Sequence, residues 1–163
     1  MRAVVSKNTD MVPTFKVSGR INKPVHEVFE AVADPQQLSG YFTTGGAKGR
    51  LETGATVTWD FADFPGAFPV KVVEVVPDSR IVLHWQAADS GADSGGSYDT
   101  TVTMSFEALE DGRTLVSIAE TGWRETASSQ KAAFGNCEGW TGMLCALKVY
   151  IEHGINLREG FYK

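Results

Sequence analysis

One carboxylate in this sequence has neighbours that could make it chemically useful. Glu120 shares strand parity with Val116 and Ile118. If that face turns inward, the acid lies in an apolar cavity, the profile of a general acid/base or of a ligand anchor. The opposite phase, with Leu115, Ser117 and Ala119 inward, makes Glu120 a solvent charge. Asn136 projects into an apolar helical arc, either as a rare polar group in the same pocket or as a cap or kink residue bonded to a nearby carbonyl. A cyclase- or hydrolase-like enzyme reading uses Glu120, with Tyr98 or Tyr41 as its acid/base partner.

No other chemistry assembles. His26, His84 and His153 are scattered, with His26 on the polar side of a helix and His84 on the outer side of a strand. Cys137 and Cys145 sit eight positions apart in one helix, about 12 Å along its axis, which is too far for a disulfide. These residues form no metal-ligand cluster. There is no phosphate loop or nucleophile triad, and the Asp/Gly stretch 89–96 lacks the acidic spacing of a calcium loop. No metal and no cofactor are expected.

The aromatic residues carry the stronger signal. By parity, Trp59, Phe61, Trp85 with Leu83, and Phe106 with Met104 point toward a helix face bearing Trp140, Met143 and Leu147, and Phe42 and Trp123 complete the set. These rings either fill a core completely or line a site for a small apolar or aromatic molecule. Gly135, Gly139, Gly142 and Ala146 form a narrow stripe beside that arc. Each glycine costs a helix about 1 kcal/mol relative to alanine, so the stripe calls for a reason. Pocket volume, a dimer contact or a kink would each supply one.

The elements that must position these groups follow from periodicity. Thr14 to Ile21 alternates as a half-buried strand. Pro24 opens a short helix with Val25, Val28, Phe29 and Val32 on one face, and a second short helix runs from Pro35 to about Phe42. The period then switches to two, with strands expected near Lys48–Glu52, Thr56–Phe61, Phe68–Val76, Ile81–Ala87, Tyr98–Leu109 and Thr114–Gly122. Pro65-Gly66 reads as a turn, and the slip in parity between Lys71 and Glu74 reads as a bulge. Thr126 to His153 forms one helix about 40 Å long, with Cys137, Trp140, Met143, Leu144, Leu147, Tyr150 and Ile151 on its apolar arc. Gly154 stops it, and 155–163 is a tail. The resulting class is α+β: a curved antiparallel sheet of six to seven strands around a long C-terminal helix.

Several segments resemble a known family. INKPVHEVFEAVADPQQLSGYF is similar to the opening of START-like (SRPBCC, birch-pollen-allergen-like) helix-grip domains. LETGATVTWDF, PDSRIVLHW and NCEGWTGMLCALKVYIEHGINLREG resemble the bacterial homologues of the C-terminal domain of the activator of heat-shock protein 90 ATPase. The likeness spans roughly residues 14 to 160. Where many relatives carry Trp-Trp or Trp-Phe, this chain has Tyr41-Phe42. The resemblance implies one helix-grip domain over 1–163, with an N-terminal arm over about 1–12 and a sheltered apolar site. It also implies a chaperone or other protein as an alternative partner; a homodimer, through the glycine stripe, is a further one.

Composition narrows the partners. With 42% apolar and 21% charged residues the 163-residue chain is globular. Its formal charge of −5 leaves no basic face for nucleic acid or anionic membrane. The apolar runs are strand-sized rather than membrane-spanning, and the N-terminus lacks an apolar leader core. Two unpaired thiols suit a reducing compartment, so the cytoplasm is the expected location.

Overall fold

The computed structural model describes residues 12–163; the expected N-terminal arm lies outside them apart from Val12. In chain order the elements are β1 (Phe15–Ile21), α1 (Val25–Ala33), α2 (Pro35–Ser39), β2 (Gly46–Lys48), β3 (Thr56–Phe61), β4 (Phe64–Val76), β5 (Arg80–Gln86), β6 (Asp99–Ala108), β7 (Thr114–Thr121) and α3 (Ala127–His153). The strands make one antiparallel seven-stranded sheet in the order β1-β7-β6-β5-β4-β3-β2. With α3 packed along the sheet's inner face, this is the α+β helix-grip architecture anticipated from periodicity.

Local chemistry sets most boundaries. The Thr126 hydroxyl accepts from Ser129 N at 3.1 Å and so caps α3. Gly154 ends the helix with φ of 70°, a conformation open to glycine at little cost. Asp34 caps α2 by accepting from Gln36 N at 3.0 Å, with Pro35 in the first helical turn. Pro24 precedes α1 as its N-cap rather than lying inside it.

Three expectations are corrected. The strand drawn at Lys48–Glu52 is the shorter, earlier β2, paired to β3 from Gly46↔Asp60 to Lys48↔Thr58. The second short helix stops at Ser39, and Tyr41-Phe42 lie in the turn that follows. Pro65-Gly66 is no turn: the chain reverses at Ala62-Asp63, and β4 starts at Phe64. Asp60 makes this possible, since its Oδ1 accepts from Phe61 N at 3.0 Å and Gly66 N at 2.9 Å. The expected bulge is present as a register shift between Val72 and Glu74.

The two halves of the interior differ. At one end α1 closes the sheet: Phe29 meets Phe106 edge to face at 5.5 Å, among buried Ile21, Val28 and Val32. Beside it Tyr41 stacks on Tyr150 at 5.1 Å. At the other end β4 and β5 part. They pair only from Lys71↔His84 to Val76↔Arg80, so Phe68 and Pro69 have no partners on β5. Pro69 has no N–H to offer in any case. That parting opens the site.

Candidate functional site

A cleft of about 870 Å³ lies between the separated ends of β4 and β5, helix α3 and the C-terminal tail. Five of its lining rings form a closed circuit of contacts. Phe42 stacks on Trp140 at 5.4 Å, Trp140 meets Trp85 at 5.2 Å, and Trp85 meets Phe68 at 6.0 Å. Phe68 then meets Phe61 at 5.8 Å, and Phe61 returns to Phe42 at 5.1 Å. Trp59 is fully buried beneath them, edge-on to Phe42 at 5.7 Å and to Trp85 at 6.1 Å. Gly135 and Gly139 leave the helix wall open, since a Cβ at either would meet nothing within 4 Å. A side chain at either position would therefore enter open space beside the cleft. Gly142 differs: the Tyr162 hydroxyl occupies the space a Cβ would take.

Glu120 stands directly behind this wall. It faces inward with Val116 and Ile118, is 0% exposed, and pairs with Val102 on β6. Trp85 lies opposite Thr100 on the adjoining strands, which brings the indole and the hydroxyl to the same patch. Asn136 and Trp140, four residues apart, present one face of α3 to it. Oε1 accepts from Trp85 Nε1 at 2.8 Å, Thr100 Oγ1 at 2.6 Å and Asn136 Nδ2 at 3.1 Å. Oε2 accepts from Trp140 Nε1 at 2.9 Å and Asn136 Nδ2 at 3.2 Å. A carboxylate offers about four acceptor positions, and these are taken. Glu120 is thus a brace for two walls of the cleft, with no acceptor position left for a ligand.

The tyrosines weighed as its acid/base partners are engaged elsewhere. Tyr41 donates to Ala31 O at 3.0 Å, and burial pushes its phenol well above the usual range. Tyr98 donates to Asp89 at 2.9 Å and shares a hydrogen bond with Ser129 at 3.0 Å.

Among the other residues singled out from sequence, Phe42, Phe61, Trp85, Asn136 and Trp140 line the cleft. Leu83, Met104, Phe106, Met143 and Leu147 share the inward face but are buried in the main core, outside the cleft lining. Trp123 packs in a separate cluster with Ala87 and Ala133. The cleft thus lies at one end of the sheet–helix interface, and side chains fill the rest. His84 keeps its outer parity yet borders the mouth, because the sheet splits beside it. Cys137, placed on the apolar arc from sequence, is only half-buried, and Cys145 is exposed.

Sequence reasoning missed Phe64, Phe68, Arg158 and Tyr162, which also line the cleft. The tail is a wall of the site. Arg158 donates twice to Asp63 Oδ1, at 3.2 Å from Nε and 3.0 Å from Nη2, with both side chains 10% exposed. Its guanidinium also lies 4.6 Å from the Phe61 ring centre and 5.1 Å from that of Tyr162. The only hint was an Arg followed by two aromatic residues beyond a helix stop. Arg158→Ala is expected to free the tail while α3 stays folded. Chymotryptic cleavage at Phe161 or Tyr162 would then run at least several-fold faster than in the parent chain; an unchanged rate would show that this ion pair does not hold the tail.

Among the described residues no group of His, Cys, Asp and Glu is placed to hold a metal ion, and no helix is long and apolar enough to cross a membrane.

Comparison with known proteins agrees with this architecture. A family model described as activator of Hsp90 ATPase homolog 1-like protein matches residues 22–152. Protein SSP2350 from Staphylococcus saprophyticus is similar at 28% identity, with 90% of this chain and 96% of that one covered and a TM-score of 0.72. The Aha1 dimer from Colwellia psychrerythraea shares the fold at 22% identity, covering 87% and 98% of the two chains with a TM-score of 0.68. No functionally curated protein matches the chain. Since the family model spans most of the sequence, from the end of β1 to the last turn of α3, the chain belongs to the activator of Hsp90 ATPase homolog 1-like family.

Proposed function

We propose that this protein is a binding module that holds one small, largely apolar, ring-containing molecule in the cleft beside α3. The observation that carries the reading is the continuous wall of mutually packed rings, Phe42, Trp140, Trp85, Phe68 and Phe61, facing a cleft that Gly135 and Gly139 also border. Flat rings offer stacking and edge contacts worth about 0.5–1.5 kcal/mol each beyond area burial. Apolar area removed from water adds roughly 25 cal/mol per Å². A volume of about 870 Å³ is within the range of small-molecule sites. With Glu120 saturated and Tyr41 and Tyr98 occupied elsewhere, binding is favoured over turnover. The free thiols at Cys137 and Cys145 suit a cytoplasmic setting. Titration with pyrene, read through tryptophan emission, is expected to saturate at one equivalent; a linear, unsaturable response would overturn the reading.

A protein partner is the second reading, favoured by the description of the matched family as activators of the Hsp90 ATPase. It calls for stimulation of a cognate Hsp90 ATPase that persists when the cleft is blocked. The dimeric state of the Colwellia relative makes self-association the other contact to measure, by light scattering.

A further inference from the structure

Resting on the reading of the cleft as a ring-binding site, we propose that it selects molecules bearing a neutral hydrogen-bond donor, a ring hydroxyl or N–H, and discriminates against carboxylates. Glu120 sets the polarity of the inner wall. Indole nitrogens can only donate, so the Trp85 and Trp140 contacts make acceptors of both carboxylate oxygens. Asn136 approaches the same two oxygens, at 3.1 and 3.2 Å. Turned the other way, its amide would set oxygen lone pairs against oxygen lone pairs. The NH₂ group is therefore committed to Glu120, and the amide cannot swap ends.

That commitment decides what the cleft meets. Asn136 lines it, and Oδ1, the remaining polar atom of the side chain, has no hydrogen-bond partner among the described residues. The inner wall therefore presents an acceptor set among rings. The lysine and the arginine of the lining are each paired with an acid. Arg158 is held by Asp63, and Lys71 pairs with Asp99 at 3.4 Å on the exposed edge. A ligand hydroxyl or N–H would complete the unmatched oxygen. A ligand carboxylate at the same point would face that oxygen with the Glu120 carboxylate immediately behind it, and would find no donor there to replace its lost water.

The test uses one ring system with three substituents: 1-hydroxypyrene, 1-methoxypyrene and 1-pyrenecarboxylate, titrated near neutral pH into the full chain. One net neutral hydrogen bond corresponds to a preference of up to roughly tenfold, so the hydroxyl compound is expected to bind several-fold to tenfold tighter than the methoxy compound, with the carboxylate weakest. Asn136→Leu also loosens the Glu120 brace, so all three compounds are expected to weaken, with the hydroxyl-to-methoxy affinity ratio falling to about one; Asn136→Ala serves the same purpose if the leucine variant does not fold. Equal binding of all three, strongest binding by the carboxylate, or a hydroxyl preference that survives in the folded variant would each overturn the donor rule with the ring site intact. Saturable binding by none of the three would instead remove the ring site itself, and this inference with it.

Discussion

Glu120→Leu is expected to lower the unfolding free energy by about 3–5 kcal/mol, because it removes the shared acceptor of buried neutral donors. The side chain is wholly buried and receives donors from Trp85, Thr100, Asn136 and Trp140. Leucine nearly conserves the volume but accepts nothing, so these donors face apolar surroundings at about 1–3 kcal/mol apiece before relaxation. Some can turn toward the cleft and recover water, which keeps the total below their sum. Glu120→Gln separates charge from shape: it keeps one acceptor oxygen but directs an NH₂ group at an N–H or NH₂ donor, so an intermediate loss is expected. Urea denaturation with a shared m-value checks both. A leucine variant as stable as the parent would mean that the network contributes nothing to holding the indoles.

Gly139→Phe is expected to act in the opposite sense on stability and to abolish ligand binding. A Cβ at this position meets nothing within 4 Å, and the residue borders the cleft. A phenyl ring there can occupy the ligand's place against Trp140 and Trp85. Removing a mid-helix glycine contributes a few tenths of a kcal/mol, because phenylalanine is a poorer helix former than alanine, and burial of the new ring adds to it. The expected pattern is an unchanged or raised melting temperature together with at least a hundredfold loss of pyrene affinity. Few substitutions raise stability while removing function, and those that do generally fill a site kept open at a cost. Retained affinity in a stable Gly139→Phe protein would place the ligand elsewhere.

How legible all this was in the sequence depends on the kind of contact. Parity along β3, β5, β6 and β7 assigned Trp59, Trp85, Met104 and Phe106 to one face, because side chains alternate strictly across a strand. Parity says nothing about position along the sheet, so Phe106 beside Phe29 and Trp85 in the cleft looked equivalent although they lie at opposite ends. Glu120 was legible only conditionally. Both of its possible phases contain apolar residues, and the register Val102↔Glu120 decides between them. The stripe at Gly135 and Gly139 was readable as a feature needing an explanation, since glycine in a helix carries a known cost. The tail was not readable. Arg158 and Asp63 are far apart in the chain, and no periodicity announces a segment that contributes single side chains to a distant turn. The splitting of β4 from β5 was hidden for a related reason: Phe64–Val76 is one continuous strand that changes partners at Lys71, from β3 before it to β5 after it.

The most direct measurement is a site-resolved titration: the tryptophan indole ¹H–¹⁵N resonances followed as pyrene is added. Trp85 and Trp140 line the cleft and donate to Glu120, so both signals are expected to shift together and saturate, while that of Trp123, in its separate cluster, stays in place. Static signals from Trp85 and Trp140, or movement confined to Trp123, would contradict the cleft as the binding site.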